Sequence, residues 1–322
     1  MNDAFIVDRP TKEKLIEDDQ KSVELIKPFW EGKDIQRWNS DNNDKYVVVI
    51  KQGFTKALFG DLSELEAYSA MLEKFPAVMR HLSAYEIASK ERSDKGDYWW
   101  EMRSCAYYNL FEQPKITWAN LQSRGKFCWD DSGKYINAPA VILPTDDKAL
   151  LGVLNSSLVW FYLTGICVAR SGGYLEIKPQ YFSQIPVPSI PEDVRGDLAT
   201  LVNANINATK EAQEKTLRFK KLVTAEFKIE KWGRNLSKWW TLDFTQFSKA
   251  LGVKKLPLAQ KDDLLTLYDK YRAELIDLSD KIKKADDQID TLVFDLYQLT
   301  SDEIKIVKDN SSGGESEEAQ ES

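Results

Sequence analysis

The stretch Arg170-Ser-Gly-Gly-Tyr-Leu-Glu-Ile-Lys-Pro-Gln-Tyr-Phe-Ser-Gln-Ile-Pro-Val-Pro188 divides the chain into two parts of different character. Its Ser-Gly-Gly step carries little side chain, so the backbone N–H groups there can approach a ligand or another chain closely. The prolines that follow exclude a continuous helix or a central strand, so the chain leaves as an extended connector. The groups suited to contact with a polyanion are Arg170, Ser171, Gly172, Gly173, Tyr174 and Lys178.

Upstream of this stretch, the sequence is mixed and rich in aromatic residues. Lys115–Trp118 and Lys126–Trp129 are predicted strands joined by a turn at residues 123–125, and a second turn at residues 131–133 completes a β-meander. The loop side chains able to hold phosphates or contact base edges are Gln122, Ser123, Arg124 and Lys126.

Two further segments indicate a packed core. Residues 46–50 form a continuous β-branched run, typical of a strand covered on both faces. Residues 149–163 are apolar almost all round, which predicts one buried helix. His81 is the single histidine of the chain, so we expect a structural role for it.

Downstream of Pro191 the pattern is helical. Leu198, Leu201 and Asn205 begin a heptad spacing that continues to residue 226, and a stricter one runs from Leu264 to Leu299. The two helices most simply pair as an antiparallel hairpin with a coiled-coil seam. The aromatic and basic segment 231–247 lies between them, where Trp232, Trp239 and Trp240 either pack at the tip or stack on bases.

Charge is unevenly distributed along the chain. The formal net charge is -7, but residues 205–260 hold 12 Lys and Arg against 5 Asp and Glu, whereas residues 261–322 hold 8 against 17. A basic segment therefore precedes an acidic final helix and tail, and the global balance does not exclude a polyanionic partner.

Cysteine usage and hydropathy bear on the compartment. Cys105, Cys128 and Cys167 are odd in number and far apart, which predicts reduced thiols and a cytoplasmic location. The longest apolar run, residues 150–168, is broken by polar residues, so we expect no membrane partner.

We find no complete set of catalytic residues in the sequence. It contains no phosphate-binding glycine loop and no Asn/Asp-Pro-Pro-Tyr/Phe tetrapeptide. Asp146 followed by Glu176-Ile-Lys178 has the order of a metal-dependent nuclease motif, and a nuclease is retained as an alternative. Whether the protein is an enzyme by itself is left open.

Several longer motifs occur in one order along nearly the whole chain. They are Asn2-Asp-Ala-Phe-Ile-Val-Asp8, Ile26-Lys-Pro-Phe-x-x-Gly-Lys-Asp-Ile-x-Arg37, Pro114-Lys-Ile-x-Trp118, Leu150-Leu-Gly-Val-Leu-Asn-Ser-Ser-Leu158, Gly172-Gly-Tyr-Leu-x-Ile-Lys-Pro-Gln-Tyr-x-x-x-Ile-Pro-Val-Pro188 and Asp290-Thr-Leu-Val-Phe-Asp-Leu-Tyr-x-Leu-Thr-x-x-Glu-Ile304. In these motifs the chain resembles the TaqI-like C-terminal specificity domain, the target-recognition region of type IIG restriction-modification enzymes and related adenine-specific DNA methyltransferases.

The resemblance implies recognition of double-stranded DNA without catalysis by this chain. Family members normally carry a methyltransferase domain, and often a nuclease, ahead of this region, so we expect those partner domains in the same or another chain. S-adenosylmethionine and Mg²⁺ would be bound only there, and no cofactor is expected in this chain.

The expected fold is α+β. A mixed α/β target-recognition domain, residues 1–190, is followed by a long antiparallel helical hairpin, residues 191–310, and a disordered acidic tail, residues 311–322. An alternative is a coiled-coil interaction module that docks a partner without contacting DNA itself.

The predicted contacts divide into two roles. Arg103, Gln122, Ser123 and Arg170 are candidates for base readout. The residues predicted to hold phosphates are Lys33, Arg37, Lys115, Arg124, Lys126 and Lys178.

Overall fold

A computed structural model of the chain describes residues 2–40, 43–229, 232–253 and 256–311. The predicted acidic tail lies outside these described residues, apart from Ser311, which ends the last helix. The fold is α+β as predicted: short helices and small sheets come first, and long helices follow.

The helices are numbered in chain order. They are α1 (Asn2–Phe5), α2 (Arg9–Asp18), α3 (Phe54–Phe59), α4 (Glu64–Lys74), α5 (Pro76–Ser83), α6 (Glu86–Lys90), α7 (Lys148–Leu154), α8 (Ser157–Ile166), α9 (Pro179–Phe182), α10 (Glu192–Phe227), α11 (Phe244–Ala250), α12 (Leu258–Leu296) and α13 (Ser301–Ser311).

The strands are short. They are β1 (Ile6–Asp8), β2 (Ile26–Trp30), β3 (Lys45–Val48), β4 (Lys115–Trp118), β5 (Leu121–Gln122), β6 (Cys128–Asp130), β7 (Tyr135–Ile136), β8 (Val141–Pro144), β9 (Val168–Arg170) and β10 (Tyr174–Glu176).

Two compact units are formed by segments that alternate along the chain. Unit 1 takes residues 1–35, 42–118 and 130–146, and unit 2 takes residues 36–41, 119–129 and 147–322, within the described ranges. The functional boundary predicted near residue 190 stays a prediction.

Unit 1 contains the mixed sheet β1-β3-β2-β7, in which β7 is parallel to β2 and the other neighbours are antiparallel. In the same unit β4 pairs antiparallel with β8, with Ile116 opposite Leu143. The lone histidine has the structural role expected of it, because the His81 ring contacts the Ala4 carbonyl oxygen at 3.0 Å.

In unit 2, α10 and α12 form the predicted antiparallel hairpin. Asn205 bonds Asp286, Lys215 bonds Glu274, and the Phe219 ring lies 5.5 Å from that of Tyr271, so contacts advance along one helix as they recede along the other. The 39 residues of α12 correspond to about 58 Å at 1.5 Å per residue.

The predicted seam holds only along part of α12. Heptad positions are buried as far as Ile289 except for Ile282, which is partly exposed, and beyond them Val293 is buried and Leu292 only partly so. The helix ends at Leu296, and Gln298 has a φ of 54°, so the predicted continuation to Leu299 is wrong. Supercoiling of the hairpin stays a prediction.

The tip of the hairpin has its own aromatic core. Trp239 is fully buried and stacks on Phe219 with ring centroids 3.8 Å apart, and Phe247 and Tyr268 pack around them. Trp232 donates its indole N–H to Thr224 at 2.8 Å. Packing at the tip, rather than stacking on bases, therefore accounts for Trp232 and Trp239.

One predicted helix is broken in the structure. Residues 148–166 form α7 and α8 with a bend of 59° between them, because the backbone leaves the helix at Asn155 and the Ser156 hydroxyl caps α8. Among the described helices, none alone is long and apolar enough to cross a bilayer, and only this bent pair meets that criterion when taken together.

Phe219→Ala tests the tip core. The substitution leaves a cavity under Trp239, and we expect a loss of about 3–5 kcal/mol in the free energy of unfolding. Urea titration followed by tryptophan fluorescence measures this loss. Leu222→Ala, at an exposed position three residues along the same helix, is the control and should change stability by no more than about 0.5 kcal/mol. Equal effects would contradict the described packing.

Candidate nucleic-acid interface

An exposed hairpin occupies the position of the Ser-Gly-Gly step. Strands β9 and β10 pair antiparallel with Arg170 opposite Tyr174, and residues 171–173 join them. Gly172 and Gly173 have φ values of 74° and 70°, in the left-handed region that favours glycine. Residues 168–174 are all exposed. We call residues 168–176 the finger.

A third strand joins the finger to the second group of predicted contacts. Strand β5 pairs antiparallel with β10, with Gln122 opposite Leu175, and the Ile177 N–H donates to the Asn120 carbonyl at 2.7 Å. The meander predicted for this region is incomplete, because a further short strand, β5, lies between its two predicted strands in sequence and pairs with the finger. This pairing brings the loop at residues 121–126, which we call the adjacent loop, beside Arg170–Lys178.

A carboxylate holds two cations at the base of the finger. Glu176 accepts from the Arg170 guanidinium, with Nε at 3.1 Å, and from the Lys178 ammonium at 2.9 Å. Lys178 and then Arg170 lower the pKa of Glu176, so it stays charged. The side chains of Arg170 and Lys178 remain 53% and 44% exposed. The cluster thus carries a net positive charge that faces solvent.

Within the adjacent loop, Gln122 is structural. It is 2% exposed, accepts from the Lys126 backbone N–H at 2.6 Å and donates to the Ala119 carbonyl at 3.0 Å. The predicted base readout by Gln122 is corrected accordingly, since both ends of its carboxamide close the loop. Ser123, Arg124 and Lys126 are partly exposed.

Arg37 is part of a polar network that reaches Phe127, the residue directly after the adjacent loop. Its guanidinium forms an ion pair with Asp286 of α12 and donates to the Asn155 carbonyl at 2.9 Å. The Asn155 side chain in turn accepts from the Phe127 N–H at 3.0 Å and donates to the Phe127 carbonyl at 2.9 Å. Asn205 of α10 donates to Asp286 at 2.7 Å. Arg37 therefore has an internal partner, which corrects the phosphate contact predicted for it.

Burial dominates the electrostatics of this network. It raises the pKa of Asp286, and the facing Arg37 guanidinium opposes that rise. One helical turn further along, burial raises the pKa of Asp290, whose carboxylate accepts from the Ser157 N–H at 2.8 Å. Removing Arg37 would leave the Asp286 carboxylate poorly solvated and without its cation.

Unit 1 buries another of the predicted phosphate contacts. Lys115 is fully buried, and its ammonium pairs with Asp130 at 2.5 Å and donates to the Phe111 carbonyl at 2.5 Å. A DNA phosphate cannot reach a side chain without exposed surface, so the role predicted for Lys115 is corrected to an internal ion pair.

Lys33 and Arg103 are the exposed candidates of unit 1. Lys33 is 73% exposed and pairs with Glu31 at 2.8 Å, which raises the pKa of the lysine. Arg103 follows a buried aromatic cluster, and its backbone N–H donates to the Asp94 carbonyl at 3.1 Å. Their predicted contacts stay predictions.

The sequence suggested a metal-dependent alternative built on Asp146, Glu176 and Lys178. In the structure, the Glu176 carboxylate is already held by Arg170 and Lys178. Within the described ranges, no three His, Cys, Asp or Glu side chains are grouped as metal ligands.

The TaqI-like C-terminal specificity domain family matches residues 27–187, half of the chain, so the chain belongs to this family and the predicted resemblance is confirmed. A domain of unknown function (DUF8810) matches residues 191–293.

Among solved structures, the chain is similar to one described as the type IIL restriction-modification enzyme MmeI in complex with DNA. Sequence identity is 10%, the TM-score is 0.51, and the match covers 98% of this chain and 34% of that one. At this identity the likeness is one of fold. The chain spans about a third of the length of that protein.

Asn155→Ala tests the connection behind the adjacent loop. The substitution leaves the buried Phe127 N–H without its acceptor, and we expect a loss of about 1–3 kcal/mol in the free energy of unfolding. The urea midpoint measures this loss. Asn203→Ala, at an exposed residue of α10, is the matched control and should have little effect. An unchanged midpoint for Asn155→Ala would rule out the structural role.

Lys115→Met tests the buried ion pair of unit 1. The buried Asp130 carboxylate would lose its cation, and we expect destabilisation by about 3–5 kcal/mol. Thermal and urea unfolding measure this change. Lys33→Met removes an exposed lysine from the same unit and should alter stability by no more than about 0.5 kcal/mol. The buried pair is not a stabilising element if both variants unfold alike.

Proposed function

We propose that this chain recognises a specific sequence in double-stranded DNA, as the target-recognition portion of a restriction-modification enzyme. The observation that carries the proposal is the exposed finger, with Arg170 opposite Tyr174 and two left-handed glycines between them. A two-stranded ribbon fits the major groove, where each base pair presents a distinct pattern of donors and acceptors. Gly172 and Gly173 keep the end of this ribbon narrow.

Arg170 is the proposed base-reading residue of the finger. It uses Nε and Nη2 on Glu176, while the other guanidinium nitrogen has no partner among the described residues. Guanidinium groups commonly bond the O6 and N7 atoms of guanine. Glu176 would restrict the orientation of Arg170 before DNA binds. Ser123 and Arg103 are proposed as additional base contacts.

The phosphate contacts are proposed around this reading surface. Lys178 lies at the base of the finger, and Arg124 and Lys126 are in the adjacent loop. Lys33 is proposed for the same role in unit 1. Phosphate contacts fix the position of a protein on the duplex but carry no sequence information directly.

The larger enzyme is proposed to be an adenine-N6 methyltransferase of type IIG-like organisation that acts in phage defence in the cytoplasm. A methyltransferase domain, in the same chain or a partner, would bind S-adenosylmethionine and flip the target adenine. A nuclease domain, where present, would bind Mg²⁺. The match covers about a third of the related protein, so that protein has room for such domains outside the matched part.

A second candidate function rests on exposed apolar residues of the helical hairpin. Leu217 and Leu222 on α10 are 49% and 44% exposed. They favour an interaction module that docks a partner subunit without DNA contact. A protein mass that rises with concentration, with no change on adding DNA, would support this alternative.

Selection of bound duplexes from a randomised pool tests the proposal. We expect an enriched asymmetric motif at about 50 mM salt that persists at about 200 mM, although phosphate-driven affinity falls steeply across that range. Recovery of random sequence at both salt concentrations would contradict independent recognition by this chain.

Arg170→Ala and Lys178→Ala form a matched pair, because each removes one cation from Glu176. Arg170→Ala should reduce discrimination at one base pair by about 1–3 kcal/mol. Lys178→Ala should instead weaken the binding of all DNA sequences to the same extent. Competition binding against single-base variants of the selected site measures both. Unchanged selectivity in Arg170→Ala would remove Arg170 from the reading surface.

A further inference from the structure

The distal half of the helical hairpin is strongly basic. Beyond the ion pair of Lys215 with Glu274, residues 216–273 carry 13 Lys and Arg against 6 Asp and Glu, in a chain whose net charge is -7. This half of the hairpin therefore has a net charge of opposite sign to that of the whole molecule. We call it the basic tip.

Most of the described cations of the basic tip face solvent. Between Thr216 and the start of α12, five exposed cations form no ion pair with the described residues, and they are Arg218, Lys221, Lys228, Arg234 and Lys249. The other half of the hairpin differs, because Lys281 pairs with Asp277 at 2.7 Å and Lys283 with Asp287 at 3.0 Å. Net positive charge is thus a property of the tip half of the hairpin, since the other half has more acidic than basic residues.

Helix geometry places part of this charge on one side. Phe219 and Val223 are fully buried and define the inner face of α10. Arg218 and Lys221 are three residues apart and point away from that face, since each residue turns the helix by about 100°. Lys228 follows at the helix end, in the left-handed conformation.

The acidic groups of the basic tip offset only part of this charge. Glu226 is exposed, and Asp243 is committed to capping α11, where it accepts from the Gln246 N–H at 2.8 Å. On α12 the exposed carboxylates Asp262, Asp263 and Asp269 balance Lys261, Lys270 and Arg272. The excess therefore lies on α10 and on the segment that follows it.

The basic tip is held rigidly by its aromatic core, so its charges have defined positions. Along α10, Lys221 lies about 28 Å from Val202 at 1.5 Å per residue, and Lys228 about 39 Å. Val202 packs against Gly152 of α7, in unit 2, which also contains the finger. These lengths, taken from the α7 contact, lie on either side of one turn of B-DNA, about 34–36 Å.

We propose that the basic tip binds the phosphate backbone of duplex DNA about one helical turn from the bases contacted by the finger. This inference rests on the proposed function and assigns a role to the domain matched at residues 191–293. Duplex DNA is the favoured partner because the cations follow one another along the hairpin, as phosphates follow one another along a strand. The contact adds affinity and no sequence information.

Binding of labelled duplexes by the whole chain, measured by fluorescence anisotropy from about 50 to 200 mM salt, tests the inference. Each phosphate contact contributes about 0.9 to the slope of log affinity against log salt, so Arg218→Gln with Lys221→Gln should lower the slope by about 2. Lys281→Gln with Lys283→Gln removes two exposed lysines from the other half of the hairpin and should leave the slope unchanged.

Duplex length supplies a second readout. The two duplexes carry the selected site at the centre, and the longer one extends it by about one turn, 10–10.5 base pairs, on each side. The wild-type chain should bind the longer duplex more tightly, and the Arg218→Gln, Lys221→Gln variant should lose that gain while keeping its preference for the site. Circular dichroism checks that both double variants are folded.

The outcomes separate this inference from the proposed function. Equal slopes for the two double variants, or no gain with length in the wild type, would overturn the role of the basic tip, and a partner other than DNA would then have to explain its charge. Tip-dependent binding of random-sequence duplexes without any site preference would support the tip and overturn sequence-specific recognition. Absence of binding to any duplex at low salt would overturn both.

Discussion

The Arg37 guanidinium connects parts of unit 2 that lie far apart in sequence. It bonds Asp286 of α12 and the Asn155 carbonyl, and Asn155 holds both backbone groups of Phe127, immediately after the adjacent loop. Partly buried ions are costly unless their partners are in place, so incorrect pairings of these segments would leave a carboxylate or an amide unsatisfied. We infer that this network fixes the register between the helical hairpin and the segment that carries the adjacent loop.

The same constraint explains the break between α7 and α8. A continuous helix through residues 149–163 would match the apolar pattern of the sequence, but the Asn155 side chain could not then bond both backbone groups of Phe127 in its present geometry. The Ser156 hydroxyl accepts from the Val159 N–H and so caps α8. Because of this cap, α7 can end at Leu154 without leaving that N–H unbonded. Polar satisfaction, rather than hydrophobic periodicity, determines the backbone path here. The Asn155 bonds therefore join the end of the adjacent loop to the junction of α7 and α8.

Local signals in the sequence were sufficient for much of the fold. Heptad spacing predicted the hairpin, and the Ser-Gly-Gly step predicted a loop open to close approach at the finger. The pairing of β5 with β10 joins residues more than fifty positions apart, and nothing in either segment specifies the other. Lys115 illustrates a second limit: a lysine in a strand has the same local pattern whether it faces solvent or a buried aspartate, so only the fold distinguishes the two.

Net charge is a poor guide to the partners of this chain, because acidic and basic groups are segregated. The cations at the finger retain exposed surface despite sharing Glu176, and Arg218, Lys221, Lys228, Arg234 and Lys249 of the basic tip form no ion pair with the described residues. Acidic residues are concentrated in α12 and beyond, where several pair with lysines one helical turn away. A polyanion approaching unit 2 would therefore meet favourable potential at the finger and at the hairpin tip. Acidic surfaces elsewhere would disfavour other orientations, and so charge segregation would orient the duplex before any base is contacted.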